Sequence, residues 1–193
     1  RAPRRPPLPD LMFDRHFAHW PPGQPRTLEL PRETVYANLA ASVARHPERA
    51  AIDYYGRRIA YRDLKREVDA LAGFLQQRCG VARGDRVLLY LQNSPQFVIG
   101  YYAVLRADAV VVPVNPMNLT DELSHYVHDS QARIAIAGQD VLPRIQPLGL
   151  PHLVRGGLAA TGEPFLDRVE PVGAEQPLQQ LGPVPRVGVQ EPR

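Results

Sequence analysis

Apolar residues along the middle of the chain follow two patterns, and each pattern predicts a different element. Three apolar runs bounded by turn residues predict strands buried on both faces, at residues 86–91, 109–114 and 133–137. After Ser94 and again after Thr120, apolar residues recur at helical spacing. Strands and helices that alternate through short links imply parallel pairing with right-handed crossovers. The expected fold class is therefore α/β, with a Rossmann-like parallel sheet between layers of helices.

Local signals mark the ends of these elements. Ser94 can cap a helix whose first position is Pro95, where no backbone N–H is needed. Acidic residues follow Thr120, where the helix dipole favours negative charge. Pro113 lacks an N–H, so we expect it at a strand end or on a sheet edge. The pattern predicts a core that includes Leu88, Val98, Val111, Leu123 and Ile134, and exposed side chains at Arg57, Arg66 and Arg83.

The preceding residues predict two more helices and a hairpin. Thr34 begins a helix that Pro47 ends, because the residue before a proline is pushed out of the helical region. Gly56 separates two short strand-like segments and indicates a small hairpin. Apolar residues over 61–75 recur at steps of three and four, which is typical of an amphipathic helix. Gly80 is placed to end that helix in a left-handed cap.

We divide the chain into three parts. Residues 1–33 form a Pro- and Arg-rich lead-in, which we expect to pack on the domain through Met12, Phe13, Phe17 and Trp20. Residues 34–148 form the α/β domain, with a last short helix within 139–148. Residues 149–193 form a Pro- and Gly-rich tail with too few apolar residues for a buried face. Three interpretations of the tail stay open. It is a disordered linker, a segment that packs only against absent parts, or a non-native frameshift product.

Composition narrows the classes of function. The net charge is +3, and the arginines are scattered rather than gathered in a stripe, so nucleic-acid binding is not favoured. A run of about 18 apolar residues, as a membrane span needs, does not occur. The basic N-terminus is not followed by the apolar stretch of a signal peptide. The single Cys79 excludes an internal disulfide and suits a reducing compartment, so we expect a cytoplasmic protein.

The residue types that carry chemistry form no convincing site of their own. His125 and His128 are three apart on a predicted helix, but a third ligand at suitable spacing is missing, so we expect no metal site. Asp85 and Asp108 fit turns better than an acid/base pair. The only lysine, Lys65, is interpreted as a solvated surface charge. Cys79 lies at a helix end, where a packed thiol is expected.

An ordered set of motifs resembles the adenylate-forming enzymes, the superfamily of acyl-CoA synthetases, luciferases and peptide-synthetase adenylation domains. The motifs are GRRIAYRDL at 56–64, GDRV at 84–87, NSPQF at 93–97 and VPVNP at 112–116. The front segment HWPPG at 19–23 resembles the lead-in of bacterial long-chain fatty acid–CoA ligases. The resemblance covers residues 19–148. One departure is Asp108, which stands in RADA where the superfamily usually has the glycine of KAGA.

The resemblance implies activation of a fatty acid by ATP and Mg²⁺, followed by transfer of the acyl group to CoA. The family holds the phosphates with a Ser/Thr/Gly-rich loop ending in Pro-Lys-Gly, and a lysine on a mobile C-terminal domain completes the site. The sequence contains neither. We therefore expect an N-terminal portion that is inactive alone, and we assign no catalytic residue. Two alternative functions stay open, a non-catalytic nucleotide- or CoA-binding module and an interaction fragment. A peripheral contact with a membrane stays open as well.

The expected binding positions follow the parallel strands, because such sheets open crevices at the carboxyl ends of their strands. These positions are Gln92–Ser94 and the loop that begins at Asn115. The resemblance places the second loop near the CoA channel and a basic residue near the CoA phosphates. We assign cofactor binding to Asn115, Pro116, Met117 and Arg144. Structural turns and a surface arginine are the alternative, and the acyl chain length and the oligomeric state stay undetermined.

Overall fold

The structure, a computed structural model, describes residues 14–27 and 33–156. The chain divides into two units, Arg1–Glu33 and Thr34–Arg193. The first unit contains a 3₁₀ turn over Asp14–His19. Nearby, the rings of Phe17 and Trp20 meet edge to face at 5.4 Å, and the Arg26 guanidinium lies 5.3 Å from the Phe17 centroid. Met12 and Phe13 lie outside the described residues, so packing of the lead-in on the domain stays a prediction.

The second unit alternates strands and helices, as the apolar pattern predicts. A 3₁₀ turn over Gln146–Leu148 follows the last helix. The elements are α1 (Val35–Arg45), β1 (Ala50–Tyr54), β2 (Arg57–Ala60), α2 (Tyr61–Gln77), β3 (Arg86–Tyr90), α3 (Pro95–Arg106), β4 (Val110–Pro113), α4 (Thr120–Ser130), β5 (Ile134–Gly138), α5 (Leu142–Ile145) and β6 (His152–Gly156).

The main sheet has four strands in the order β4-β3-β5-β6, and every neighbouring pair is parallel. In register, Leu88 lies between Val112 of β4 and Ala135 of β5. The parallel α/β fold class and the three predicted strands are thus confirmed. Pro113 is the last residue of the edge strand β4, where its missing N–H costs no pairing. Strands β1 and β2 form a separate antiparallel hairpin.

Alternate side chains of β3 divide the core into two layers, as the two-residue period of a strand requires. Val87 and Leu89 pack with residues of α1, α2 and α3 on one face of the sheet. Leu88 and Tyr90 pack with residues of α4 and α5 on the other face. The three-layer arrangement therefore follows from a strand that is apolar at every position.

The residues predicted to begin α3 and to follow the end of α2 have the expected conformations. The Ser94 hydroxyl accepts a hydrogen bond from the Phe97 N–H at 3.3 Å, and Pro95 is the first helical residue of α3. Gly80 follows α2 with φ of +66°. Asp108 has φ of +59°, a left-handed conformation that glycine adopts easily and that Asp tolerates. This conformation explains why a family glycine position can hold Asp108 without loss of the turn.

The predicted burial is largely confirmed. Leu88, Leu123 and Ile134 are buried, while Val98 and Val111 are only partly buried. Val111 lies on the edge strand β4, which has a neighbour on one side only. The three arginines expected at the surface, Arg57, Arg66 and Arg83, are exposed.

The prediction that regular structure ends at residue 148 is wrong for His152–Gly156. This segment is β6, which pairs with β5 and buries Leu153 and Val154. The five residues of β6 include only two large apolar side chains, too few to establish a period among the surrounding prolines and glycines. The strand depends instead on the free hydrogen-bonding edge of β5. Residues 157–193 lie outside the described residues.

Candidate functional site

The connections of the sheet open a crevice at the carboxyl end of β3. After β3 the chain enters α3, which packs on one face and leads to β4, and after the neighbouring β5 it enters α5, which packs on the other face and leads to β6 on the opposite side. Adjacent strands whose connections leave to opposite faces form a topological switch point, where open α/β sheets bind ligands. The exposed residues Gln92 and Asn93 follow β3 at this place, and Asn115 follows β4.

The loop after β4, residues 115–119, is ordered by hydrogen bonds of its own. The side-chain oxygen of Asn115 accepts a hydrogen bond from the Met117 N–H at 2.9 Å. The backbone carbonyl of Asn115 accepts one from the Asn118 N–H at 3.0 Å. The Leu119 N–H donates to the Glu122 carboxylate at 2.8 Å, which joins the loop to the start of α4. We call residues 115–119 the switch loop. Its short local bonds fix the backbone and leave Met117 and Leu119 73% and 60% exposed.

Arg144 contacts the switch loop, as its assignment to the same site requires. Its Nη1 donates to the Pro116 carbonyl at 2.9 Å. The Thr120 hydroxyl, at the start of α4, donates to the Arg144 carbonyl at 2.9 Å and holds the backbone of α5 close to the loop. The structure thus brings together all four residues assigned to cofactor binding. Arg144 is partly buried, and its role in cofactor binding stays a prediction.

Tyr90 belongs to the same site, and sequence reasoning treated it only as one member of an apolar run. Its side chain is fully buried on β3, and its hydroxyl lies 2.6 Å from the Asn118 carbonyl and 3.3 Å from the Pro116 carbonyl. A usable signal was present in the sequence. A buried tyrosine needs a hydrogen-bond partner that the aliphatic residues beside it do not need.

Lys65, which the sequence suggested to be a solvated surface charge, is only partly exposed and has an ion-pair partner. It is partly buried on α2 and pairs with Asp69, which also accepts from the Tyr36 hydroxyl at 2.6 Å. The Nε of Arg106 lies 3.5 Å from the same carboxylate. Burial lowers the pKa of Lys65, but the hydrogen bond and negative charge of Asp69 outweigh it, and the net pKa is raised. Burial and the bond to Asp69 also raise the pKa of Tyr36.

The other candidate residues have structural surroundings. Cys79 is buried, and burial raises the pKa of its thiol to about 11, so it is a packed thiol as expected. Asp85 accepts from the Ala82 N–H at 2.8 Å in the turn before β3. Over residues 14–27 and 33–156, no group of three or more His, Cys, Asp and Glu side chains is arranged to hold a metal ion. In the same residues, no helix is long and apolar enough to cross a bilayer.

The fold defines the class of this protein, a parallel α/β domain with a crevice at the carboxyl end of its strand β3. The model of the AMP-binding enzyme family matches residues 39–184, which is more than half of the chain. The chain therefore belongs to the AMP-binding enzyme family, and it corresponds to the N-terminal part of an adenylate-forming enzyme.

Individual relatives agree on the family and differ in the reaction that their names describe. The chain is 38% identical over 128 residues to a long-chain-fatty-acid–CoA ligase of Bacillus subtilis. This aligned region covers 66% of this chain and 23% of the relative. It is 32% identical over 139 residues to indigoidine synthase of Streptomyces lavendulae. This aligned region covers 72% of this chain and 10% of the relative. The chain thus spans under a quarter of the length of either relative.

A solved structure matches the fold as well. The adenylation–PCP di-domain NRPS NpsA-ThdA from Klebsiella oxytoca, an artificial fusion, aligns with a TM-score of 0.58 and 29% identity, covering 64% of this chain and 23% of that chain. The structure of the N-terminal subdomain of NpsA alone gives the same TM-score, and the alignment covers 31% of that chain. The α/β unit described above is therefore similar to the N-terminal subdomain of an adenylation domain.

Proposed function

We propose that this chain is the N-terminal portion of an ATP-dependent long-chain fatty acid–CoA ligase, which acts in the cytoplasm. The similarity to the Bacillus subtilis ligase supports the substrate class. In the complete enzyme the carboxylate would react with ATP and Mg²⁺ to give an acyl-adenylate and pyrophosphate, and the acyl group would pass to CoA. The phosphate loop and the C-terminal lysine that this chemistry uses are not found in the sequence. This portion therefore contributes binding surface rather than catalysis.

We assign contact with CoA to Asn115, Pro116, Met117 and Arg144. The bond from Arg144 to Pro116 is the observation that carries this assignment, because it places a cation beside the switch loop. A guanidinium has five N–H donors, and the Pro116 carbonyl uses one, so donors are left for a phosphate group. The exposed Met117 offers an apolar contact for the uncharged arm of CoA.

Titration calorimetry with CoA tests the binding site. We expect measurable binding to the chain, weakened about tenfold by Arg144→Gln because a charge-assisted bond to phosphate is lost. Arg133→Gln is the matched control, since Arg133 is exposed just before β5, at the opposite end of the sheet. Equal affinities for the two variants, or no binding to the unaltered chain, would refute the assignment.

A pyrophosphate-release assay with ATP, Mg²⁺ and palmitate tests the proposed division of labour. The expected rate is close to background, because loss of even one preorganised donor from such a site costs roughly 10²–10³ in rate. Pyrophosphate release that depends on fatty acid would show that the chain carries chemistry of its own.

A second candidate is the N-terminal portion of an adenylation domain that does not use CoA. The similarity to indigoidine synthase favours this candidate, because it covers a larger share of this chain than the similarity to the Bacillus subtilis ligase does. The calorimetric experiment distinguishes the two, because this candidate predicts no specific binding of CoA and equal behaviour of the Arg144→Gln and Arg133→Gln variants.

A further inference from the structure

Two side chains from different elements hold two carbonyls of the switch loop. A tyrosine hydroxyl has one proton to donate, and the shorter Tyr90 contact, 2.6 Å, is to the Asn118 carbonyl. The Pro116 carbonyl, 3.3 Å from the same hydroxyl, receives its short bond from Arg144 at 2.9 Å. Tyr90 therefore holds one part of the loop from β3 while Arg144 holds another part from α5.

The hydroxyl of Tyr90 has no role in filling the core. The preceding positions of β3 are Val87, Leu88 and Leu89, and all three are buried without polar atoms in their side chains. A phenylalanine ring would fill the space of the Tyr90 ring and would bring no polar atom that needs a partner. What the hydroxyl adds is a bond to a loop 28 residues away in sequence.

We propose that Tyr90 is a positioning residue that keeps the switch loop in its ligand-binding conformation. This rests on the proposed function, in which the loop contacts CoA. The bond ties the loop backbone to the rigid centre of the sheet, and the local bonds of Asn115 complete its shape. A loop that is ordered before the ligand arrives loses less conformational entropy on binding, so the affinity is higher. Without the hydroxyl, the loop samples other conformations and only a fraction of the molecules can bind.

The variant Tyr90→Phe tests this role, because it removes the hydroxyl and keeps the ring. Tyr55→Phe is the matched control, since Tyr55 is 94% exposed in the β1–β2 hairpin. Hydrogen exchange of the full chain, followed by mass spectrometry, compares a peptide that covers 115–119 with one that covers 134–138. We expect about 5- to 10-fold faster exchange in the switch loop of Tyr90→Phe, with β5 and the Tyr55→Phe chain unchanged.

Binding of CoA is measured on the same proteins by calorimetry. We expect the Kd of Tyr90→Phe to rise about 5- to 10-fold and that of Tyr55→Phe to stay at the value of the unaltered chain. Unchanged exchange in the switch loop would overturn the proposal, and so would equal acceleration in the loop and in β5, which indicates a general loss of stability. Faster loop exchange with unchanged CoA affinity would also overturn it.

A failure of the proposed function and a failure of the positioning role of Tyr90 give different results. If the unaltered chain does not bind CoA, the proposed function is refuted, while the exchange comparison still decides whether Tyr90 holds the loop. If Tyr90→Phe does not fold, Arg144→Lys provides the second measurement, because it weakens the bond to Pro116 from the α5 side and leaves the core unchanged. Faster exchange confined to residues 115–119 is expected in that variant, and its absence would contradict the two-sided attachment.

Discussion

Gly100 sets the distance between α3 and the sheet. A Cβ atom at this position would lie 2.8 Å from the Cδ1 atom of Leu89 and 3.7 Å from that of Ile136. The first distance is shorter than a normal carbon–carbon contact, so a side chain at 100 requires Leu89 to move. Glycine normally weakens a helix interior by about 0.5–1 kcal/mol relative to alanine, and here close packing compensates for that cost.

We predict that Gly100→Ala lowers the free energy of unfolding by about 1–2 kcal/mol, because overpacking outweighs the better helix propensity. In a Leu89→Val background the obstructing Cδ1 atom is gone, and the same substitution should be neutral or stabilising. Urea denaturation of the four proteins measures the coupling between the two positions. Additive effects would mean that Leu89 does not limit the approach of α3.

Cys79 illustrates how burial controls reactivity at one side chain. The thiol is 5% exposed, and burial raises its pKa to about 11. Because the thiolate is the reactive species, we predict slow alkylation of the native chain by iodoacetamide at pH 8 and a rate that increases as the pH rises towards 11. The same chain in denaturant should react rapidly. Fast alkylation of the folded protein at pH 8 would contradict a packed, neutral thiol.

At the scale of elements, one carboxylate connects three helices. Asp69 on α2 pairs with Lys65 of the same helix, accepts from Tyr36 of α1 and lies near Arg106 at the end of α3. The Arg106 guanidinium also lies 5.1 Å from the centroid of the Tyr36 ring, within cation–π distance. The layer of α1, α2 and α3 is therefore held by polar contacts at its surface as well as by the apolar contacts beneath it.

The sheet depends on β3, which has a strand on each side and a helical layer on each face. Leu88 is fully buried at the centre of this strand, so we predict that Leu88→Ala lowers the free energy of unfolding by about 2–5 kcal/mol. The partly buried Val111 on the edge strand provides a comparison, and Val111→Ala should cost less. Urea melts measure both values. A loss under about 0.5 kcal/mol for Leu88→Ala would contradict the central position of β3.

At the scale of the whole molecule, the domain extends into the segment that looked like a tail. Strand β6 covers the edge of β5 and places Leu153 and Val154 in the two core layers. The other edge of the sheet is β4, which ends at Pro113 and follows the exposed Asp108. A proline and a short strand limit unwanted pairing at an open edge.

A chain that stops at residue 148 should therefore be less stable than one that stops at residue 156. Loss of β6 removes the burial of one leucine and one valine, worth roughly 1.5–3 kcal/mol each, and exposes the edge of β5. We expect a clear decrease in the urea midpoint and a tendency to aggregate. Denaturation and light scattering of the two chains measure these effects, and equal stability would contradict a structural role for β6.

The sequence alone predicted the class of fold, three strands of the sheet and the ends of the main helices. These features depend on signals that lie within a few residues of each other, such as the apolar run at 86–91, the Ser94 cap and the left-handed position of Gly80. The four residues assigned to cofactor binding came from the family resemblance and from the rule that parallel sheets bind ligands at their carboxyl ends. Their role stays a prediction, although the structure brings them together.

Only the tertiary structure decided how distant residues meet. The bonds from Tyr90 to Asn118 and from Arg144 to Pro116 each join positions 28 residues apart. Strand β6 exists because β5 offers an unpaired edge, and Lys65 is held by a carboxylate whose other partners lie on α1 and α3. A local pattern does not contain these contacts, because each depends on where the sheet and the helices place two segments that the sequence keeps apart.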